Sequence, residues 1–172
     1  RWMGNKLVVE KSTSPGLQVN GYLNTKIEDG KLPEINNLSL NISLKNYNLD
    51  QLLLNLPATI PVEGKTDFRG KITGTPDKLN IQGQIELNNF VVNQFAFESK
   101  LMGTLQTKLD GGLNLDVNGI RDKIDLSFNE EGYPELFSVK GNQASGTGKT
   151  QGNKLSINIE KLPLKTLGVQ LP

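Results

Sequence analysis

The chain has 172 residues, enough for one domain with a hydrophobic core, and 19 Lys and Arg against 18 Asp and Glu leave a net charge of +1. This balance provides no global field for polyanions, so nucleic-acid binding gains no support. The sequence contains no cysteine and no histidine. Their absence excludes disulfides, thiolate nucleophiles, Ser/His/Asp triads and zinc sites built on either ligand within this chain.

No apolar run approaches the roughly 18 residues of a membrane-spanning helix, and the first residues, RWMGNKLVVE, do not resemble a signal sequence. We therefore expect a soluble segment of a longer protein, with any membrane anchor outside residues 1–172.

The dominant pattern along the chain is an alternation of apolar and polar residues over segments of about 8 to 11 residues, which is typical of strands with one buried face. The alternating apolar positions, in chain order, are Leu38, Leu40, Ile42 and Leu44; Leu79, Ile81, Ile85 and Leu87; Phe95 and Phe97; Leu101, Leu105 and Leu109; Leu113, Leu115 and Val117; Ile124, Leu126 and Phe128; Leu155, Ile157 and Ile159. Turn residues separate these runs at 28–30, 74–77, 88–89, 110–112, 119–122 and 152–153. Because short turns cannot support parallel crossovers, the sequence predicts an all-β fold, an antiparallel meander of about ten strands.

Two stretches interrupt the alternation and predict short helical insertions, near 47–56 and near 162–168. The strands before them are similar, because Leu40, Ile42 and Leu44 match Leu155, Ile157 and Ile159 at an offset of 115 residues. This internal repeat indicates that residues 1–172 are one segment of a longer repeat protein, with repeat junctions at the two insertions.

The stretch GNQASGTGKTQGN, residues 141–153, contains SGTGKT and so resembles a phosphate-binding loop. A working loop needs a glycine five positions before the Gly-Lys-Thr and a helix after it. Counting back from Gly148, that position is Gln143, and the alternating LSINIE that follows predicts a strand. The sequence therefore predicts a strand at 144–150 that folds back on 155–159, and no nucleotide site.

Acidic residues are the remaining catalytic possibility, because a glycosidase needs two facing carboxylates at a defined separation. The candidates lie in loop compositions or on polar strand faces and are Asp67, Asp77, Asp110, Asp116, Asp125, Glu130 and Glu131. We expect them to be solvated surface groups, and EF-hand spacing is absent. The prediction is a non-enzymatic protein without cofactor or metal.

The continuous apolar face needs a cover, and composition leaves two solutions open. The sheet could close on itself as a barrel or sandwich. Alternatively it could curl into a trough that is filled by a ligand such as acyl chains. Glycines on the apolar face, at Gly70, Gly83 and Gly103, would permit strong bending and leave room for such chains.

The run GKTDFRGKITGTPDKLNIQGQIELNNFVVNQFAF, residues 64–97, resembles the repeating unit of the TamB family of AsmA-like envelope proteins, which includes a chloroplast translocon relative. The stretches NYNLDQLLLNLPATIPVEG and IEKLPLKTLGVQLP resemble the helical insertions between that family's units, and the Asn-rich polar faces indicate a cyanobacterial member. The resemblance implies an open U-shaped trough, or β-taco, that is anchored in the inner membrane and spans the periplasm or intermembrane space.

The family resemblance implies a conduit that carries phospholipid acyl chains between membranes, supports outer-membrane biogenesis or protein secretion, and works with an Omp85-type partner and neighbouring repeats of its own chain. The alternative that it implies is a scaffold that accepts strands of outer-membrane proteins by β-augmentation. No catalytic residue is carried over. The inferred lipid-groove positions are Phe68, Ile72, Leu79, Ile81, Ile85, Leu87, Phe95, Phe97, Leu101, Leu105, Leu113, Leu115 and Val117.

Overall fold

The computed structural model describes residues 1–28, 30–51, 61–92, 95–142, 144–152 and 154–161, which form one antiparallel sheet of 13 strands. The strands are β1 (Trp2–Met3), β2 (Lys6–Ser14), β3 (Leu17–Lys26), β4 (Glu34–Asn48), β5 (Val62–Thr75), β6 (Lys78–Val92), β7 (Phe95–Ala96), β8 (Lys100–Thr107), β9 (Leu113–Asn118), β10 (Lys123–Phe128), β11 (Pro134–Lys140), β12 (Ser145–Gln151) and β13 (Lys154–Lys161). The predicted all-β class is confirmed.

Each strand pairs with its neighbour in sequence, except that the two-residue β7 folds back on the end of β6 and lets β8 pair with β6. The predicted antiparallel meander is confirmed, with 13 strands where about ten were expected. β1 and β13 lie at opposite edges and do not pair, so the sheet is open and the barrel alternative is wrong for the described residues. No helix formed by these residues has the length and apolarity needed to span a membrane.

Turn chemistry predicts most strand ends correctly. The turns at 74–77, 110–112 and 119–122 are confirmed, as is the chain reversal at Gly152; Asp29 and Asn153, in the other predicted turns, lie outside the described residues. The predicted turn at 88–89 is wrong, because β6 continues to Val92. Asn89 takes a positive φ of 51° there, and the register shifts opposite it around Gly64, so the irregularity is a β-bulge within the strand pair.

The predicted helical insertions are not confirmed. The only helical structure among the described residues is a 3₁₀ turn at Leu49–Gln51, and β4 already includes Tyr47 and Asn48. Residues 52–56 of the first insertion and all of 162–168 lie outside the described residues.

The SGTGKT stretch is a strand, as the broken loop register predicted. β12 pairs along its length with β11 and β13, and a strand follows where a phosphate loop needs a helix. Gln143 lies outside the described residues. Gly148 is required by packing, because a Cβ atom added there would lie 1.9 Å from Cε1 of Phe137.

A small hydrophobic core lies on the apolar face near the middle strands of the sheet. Its buried members are Leu49, Leu87, Phe90, Leu101, Val117 and Ile124. Leu49 enters from the 3₁₀ turn, and Phe90 enters from the bulged end of β6, where its ring stacks on Phe97 with centroids 5.3 Å apart. The described residues therefore cover only one part of the apolar face.

Candidate functional site: the apolar face

Strand register aligns the apolar residues into rows that cross the sheet from β3 to β13, because directly opposed residues share a face and side chains alternate with period two. Apolar row 1 is Val19, Ile42, Gly70, Gly83, Leu105, Leu115, Leu126, Phe137, Gly148 and Ile157. Apolar row 2 is Leu17, Leu44, Phe68, Ile85, Gly103, Val117, Ile124, Val139, Gly146 and Ile159. Both rows contain only apolar residues and glycine.

Aromatic rings occupy much of the space beside the glycines of these rows. A Cβ atom at Gly70 would lie 2.5 Å from Cζ of Phe68, and one at Gly83 would lie 2.6 Å from the same ring. The room that the sequence suggested for acyl chains at these two positions is therefore filled by Phe68. Gly103 serves a close backbone approach, because its Cβ would lie 1.8 Å from the carbonyl oxygen of Asp116.

No second layer packs across the rows in the part of the chain that the structure describes. Extensive contacts join only strands that are neighbours in the sheet, together with the 3₁₀ turn against β5. Away from the core, most row side chains are therefore only half-buried, and Ile157 and Ile159 on the edge strand are 55% and 56% exposed. A contiguous apolar surface of this kind is normally covered by a ligand or a partner.

The predicted lipid-groove residues, apart from Phe95, lie on this face or pack against its core. Phe68, Ile85 and Val117 belong to row 2, and Leu105 and Leu115 belong to row 1. The other six lie on the same face, beside the two rows, and are Ile72, Leu79, Ile81, Leu87, Leu101 and Leu113. Phe95 opposes Val92 in the short β7, and Phe97 stacks on Phe90.

Three of the predicted positions are out of reach of a ligand in this arrangement. Leu87 is 3% exposed and Leu101 and Val117 are fully buried, because they belong to the core cluster that also contains Leu49 and Phe90. Sequence reasoning also omitted row members on both sides, including Val19, Phe137 and Val139. The signal was weak because Gly21 interrupts the alternation after Val19 in β3, and because Leu136 directly precedes Phe137 and breaks the alternation in β11.

The opposite face carries two polar rows that run beside row 1. Polar row 1 is Gln18, Ser43, Arg69, Gln84, Thr104, Asp116, Asp125, Ser138, Thr147 and Asn158. Polar row 2 is Asn20, Asn41, Lys71, Gln82, Gln106, Asn114, Ser127, Leu136, Lys149 and Ser156. The two rows differ in charge along the sheet.

Two open grooves, of about 710 and 800 Å³, follow these polar rows and meet at Gln106. Every member of both polar rows lines one of them. Apolar row 1, which runs between the two polar rows, also lines them except at Val19, whereas no member of apolar row 2 does. A groove on the apolar face would contact row 2, whose side chains point to the same side as those of row 1. The grooves therefore open on the polar face, and the apolar rows form an open surface in the described residues.

A carboxylate pair lies in the larger groove, where Asp116 and Asp125 are directly opposed on β9 and β10. A hydrogen bond from Asp125 lowers the pKa of Asp116, while burial and the neighbouring Asp116 raise the pKa of Asp125. Lys123 Nζ lies 3.1 Å from Asp125 Oδ1 and 3.4 Å from Asp116 Oδ2. The two carboxylates therefore share one cation, and each perturbs the pKa of the other.

A second acidic pair, Glu98 and Asp122, fastens two loops to each other. Glu98 Oε2 accepts the backbone N–H groups of Arg121 and Asp122 at 2.9 and 3.1 Å, and Asp122 Oδ2 accepts the N–H of Glu98 at 2.8 Å. Asp122 is buried, and its Oδ1 also accepts the N–H of Asn142 at 3.0 Å. These carboxylates satisfy backbone donors, which explains their burial without a catalytic role.

The described residues contain no group of three or more acidic side chains that could hold a metal ion. Comparison with known proteins finds no match among family models, curated proteins or solved structures.

Proposed function

We propose that this chain is a non-enzymatic segment of a lipid conduit of TamB type, in which phospholipid acyl chains lie along apolar rows 1 and 2. The observation that carries the proposal is that both rows continue from β3 to β13 without a polar residue, and that outside the core at Val117 and Ile124 no second layer of the described chain packs across them. In this proposal the sheet curls into an open trough around the acyl chains, and headgroups remain at its open side.

The energetics favour an acyl chain as the cover. Each methylene that leaves water for an apolar surface contributes about 0.8 kcal/mol, so a chain lying across several strands gains several kcal/mol from contacts that need no specific geometry. Such contacts allow the lipid to slide, because neighbouring strands present similar side chains. A conduit requires this uniformity, whereas a specific pocket would hold the ligand in one place.

The rest of the proposal follows the family resemblance. The segment lies in the periplasm or an intermembrane space, is anchored to the inner membrane by residues outside 1–172, and joins neighbouring repeats of its own chain. An Omp85-type outer-membrane protein is the proposed partner.

Site-specific photo-crosslinking tests the proposal with controls on the same strands. Crosslinkers at Ile81 or Leu105 should capture phospholipid in cells, whereas crosslinkers at Gln82 or Gln106 should not. Gln82 directly follows Ile81, and Gln106 directly follows Leu105, so each control side chain points to the opposite face of the sheet. Gln82 and Gln106 are also directly opposed on β6 and β8, so they report on the same region of the polar face. Equal lipid capture on both faces would contradict the conduit.

The open edge of the sheet favours a second candidate, a scaffold that accepts strands of outer-membrane proteins by β-augmentation. β13 spans Lys154–Lys161 and has no partner strand on its outer side among the described residues. The other edge is less suited, because β1 has two residues and a register shift interrupts β2 between Val9 and Ser12. Crosslinkers at Ser156 and Asn158 that capture nascent protein, without lipid at Ile81, would favour this candidate.

A further inference from the structure

The polar face is electrostatically divided, and the groove over β3 to β8 is lined by cations without carboxylates. Arg69 and Lys71 lie on alternate residues of β5, roughly 7 Å apart along the strand, in the middle of the 710 Å³ groove. No Asp or Glu lines that groove. The half over β9 to β13 differs, because it contains the Asp116 and Asp125 pair.

Both cations are exposed and have uncharged neighbours across the strands. Arg69 is opposed by Ser43 and Gln84, and Lys71 is opposed by Asn41 and Gln82. The ion pairs of the described residues involve neither cation. The positive charge of this half-groove is therefore not neutralised by a neighbouring carboxylate.

The nearest carboxylates on the same face already have partners. Oδ1 of Asp67, two residues before Arg69, accepts the backbone N–H of Asn46 at 2.7 Å. Oε2 of Glu86, two residues after Gln84, lies 2.8 Å from Nζ of Lys100. These contacts draw both acids toward other groups.

We propose that this half-groove binds an acidic polysaccharide, with the carboxylates of the sugar chain on Arg69 and Lys71. Guanidinium and ammonium groups form charge-assisted hydrogen bonds with carboxylates. The flanking amides and hydroxyls, such as Asn41, Ser43 and Gln82, both donate and accept, as sugar hydroxyls require. The groove is open and crosses five strands, a span of roughly 19 Å, which suits a polymer that continues beyond the site at both ends.

Other polyanions fit this surface less well. Single-stranded nucleic acid needs aromatic platforms for its bases, and the groove is lined by none. Duplex nucleic acid and anionic membranes are bound through larger cation clusters than one Arg and one Lys. Uncharged hydrogen-bonding side chains predominate here, as expected for a ligand with many hydroxyls and few charges.

Calorimetric titration of the 172-residue chain with oligogalacturonate at low ionic strength tests this proposal. We expect binding that weakens as salt is added, and at least tenfold weaker binding by the double variant Arg69→Gln/Lys71→Gln, because each charge-assisted hydrogen bond is lost. A neutral dextran should not bind. Circular dichroism of the variant verifies that the sheet is retained, which is expected because both substitutions are on the exposed face.

The matched control is Lys149→Gln, which removes a cation from the other half of the polar face and should leave oligogalacturonate affinity unchanged. Three results would each overturn the proposal: no binding by the wild type, the same affinity for the double variant, or equal binding of polyuridylate or phosphatidylglycerol vesicles through the same two cations. Lipid crosslinking at Ile81 is independent of these results, so failure here and failure of the conduit can be told apart.

Discussion

The apolar face of this sheet has two regions that look alike in sequence and differ in burial. In the packed region, Leu87, Leu101, Val117 and Ile124 form one core cluster with Leu49 and Phe90 and are at most 3% exposed. In the open rows, residues such as Leu105 and Leu115 follow the same alternation on the same strands and remain half-buried. The difference shows that alternation determines which face a residue joins, whereas the chain that crosses that face determines whether the residue is core or surface.

The largest expected effect comes from truncating one leucine in each region. Leu101→Ala removes a fully buried side chain and should lower the free energy of unfolding by about 2 to 5 kcal/mol. Leu105→Ala, four residues away on the same strand and face, should cost less than half as much because its site is already partly hydrated. Urea denaturation of both variants measures the difference, and equal losses would show that the open rows are covered in solution.

Gly103→Ala tests the junction between the two regions, because Gly103 lies in row 2 between Ile85 and the buried Val117. The added Cβ would lie 1.8 Å from the carbonyl oxygen of Asp116, so β8 and β9 must separate. We expect a loss of about 1 to 3 kcal/mol in the free energy of unfolding. Urea denaturation measures the loss, and a stability equal to that of the wild type would contradict the packing.

Acid titration tests the loop contact beside the packed region. Backbone hydrogen bonds, first from Arg121 and then from Asp122, hold the pKa of Glu98 below its usual value. A depressed folded-state pKa contributes stability that is present above the unfolded pKa of about 4.3 and is lost as pH falls through the folded value. Glu98→Gln should therefore lose less stability between pH 5 and pH 3 than the wild type does, as measured by thermal unfolding. If the stability of both proteins fell equally with pH, the charge of the Glu98 carboxylate would not be involved.

The smallest expected effect concerns the polar face directly behind Val117 and Ile124. Asp125→Asn removes one of two opposed carboxylates and should raise the free energy of unfolding by about 0.5 kcal/mol at pH 7. The sign follows from the raised pKa of Asp125, which means that the fold disfavours its charged form. The gain should disappear as pH falls and wild-type Asp125 becomes protonated.

Asp110→Asn is the opposite-sign control for this measurement. The pKa of Asp110 is lowered, first by the backbone N–H of Gly112 and also by Lys108. Its substitution should therefore destabilise at pH 7. If both substitutions stabilised the protein, the cause would be a general effect of net charge and not the contact between Asp116 and Asp125.

Much of the fold could be predicted because the sequence contains strong local signals. The antiparallel meander was predicted from turn residues, such as Gly111 and Gly119, and from the alternation between them. The same alternation after SGTGKT predicted that this stretch is a strand. Asn89 misled the prediction because a residue that tolerates a positive φ serves a bulge as well as a turn. Leu109 was assigned to a strand but lies in the turn after β8, fully exposed, because β8 ends at Thr107.

The sequence by itself determined the chemistry of each face, because a side-chain period of two leaves no freedom about which residues share a side once a strand forms. Only the tertiary structure decided how the strands align into continuous rows, which part of the apolar face becomes core, and that the described grooves follow the polar face. Those outcomes depend on residues far apart in the chain, such as Leu49 and Leu101 in one core cluster, or Arg69 opposed by Ser43 and Gln84. The lipid and polysaccharide proposals both concern surfaces that such contacts created.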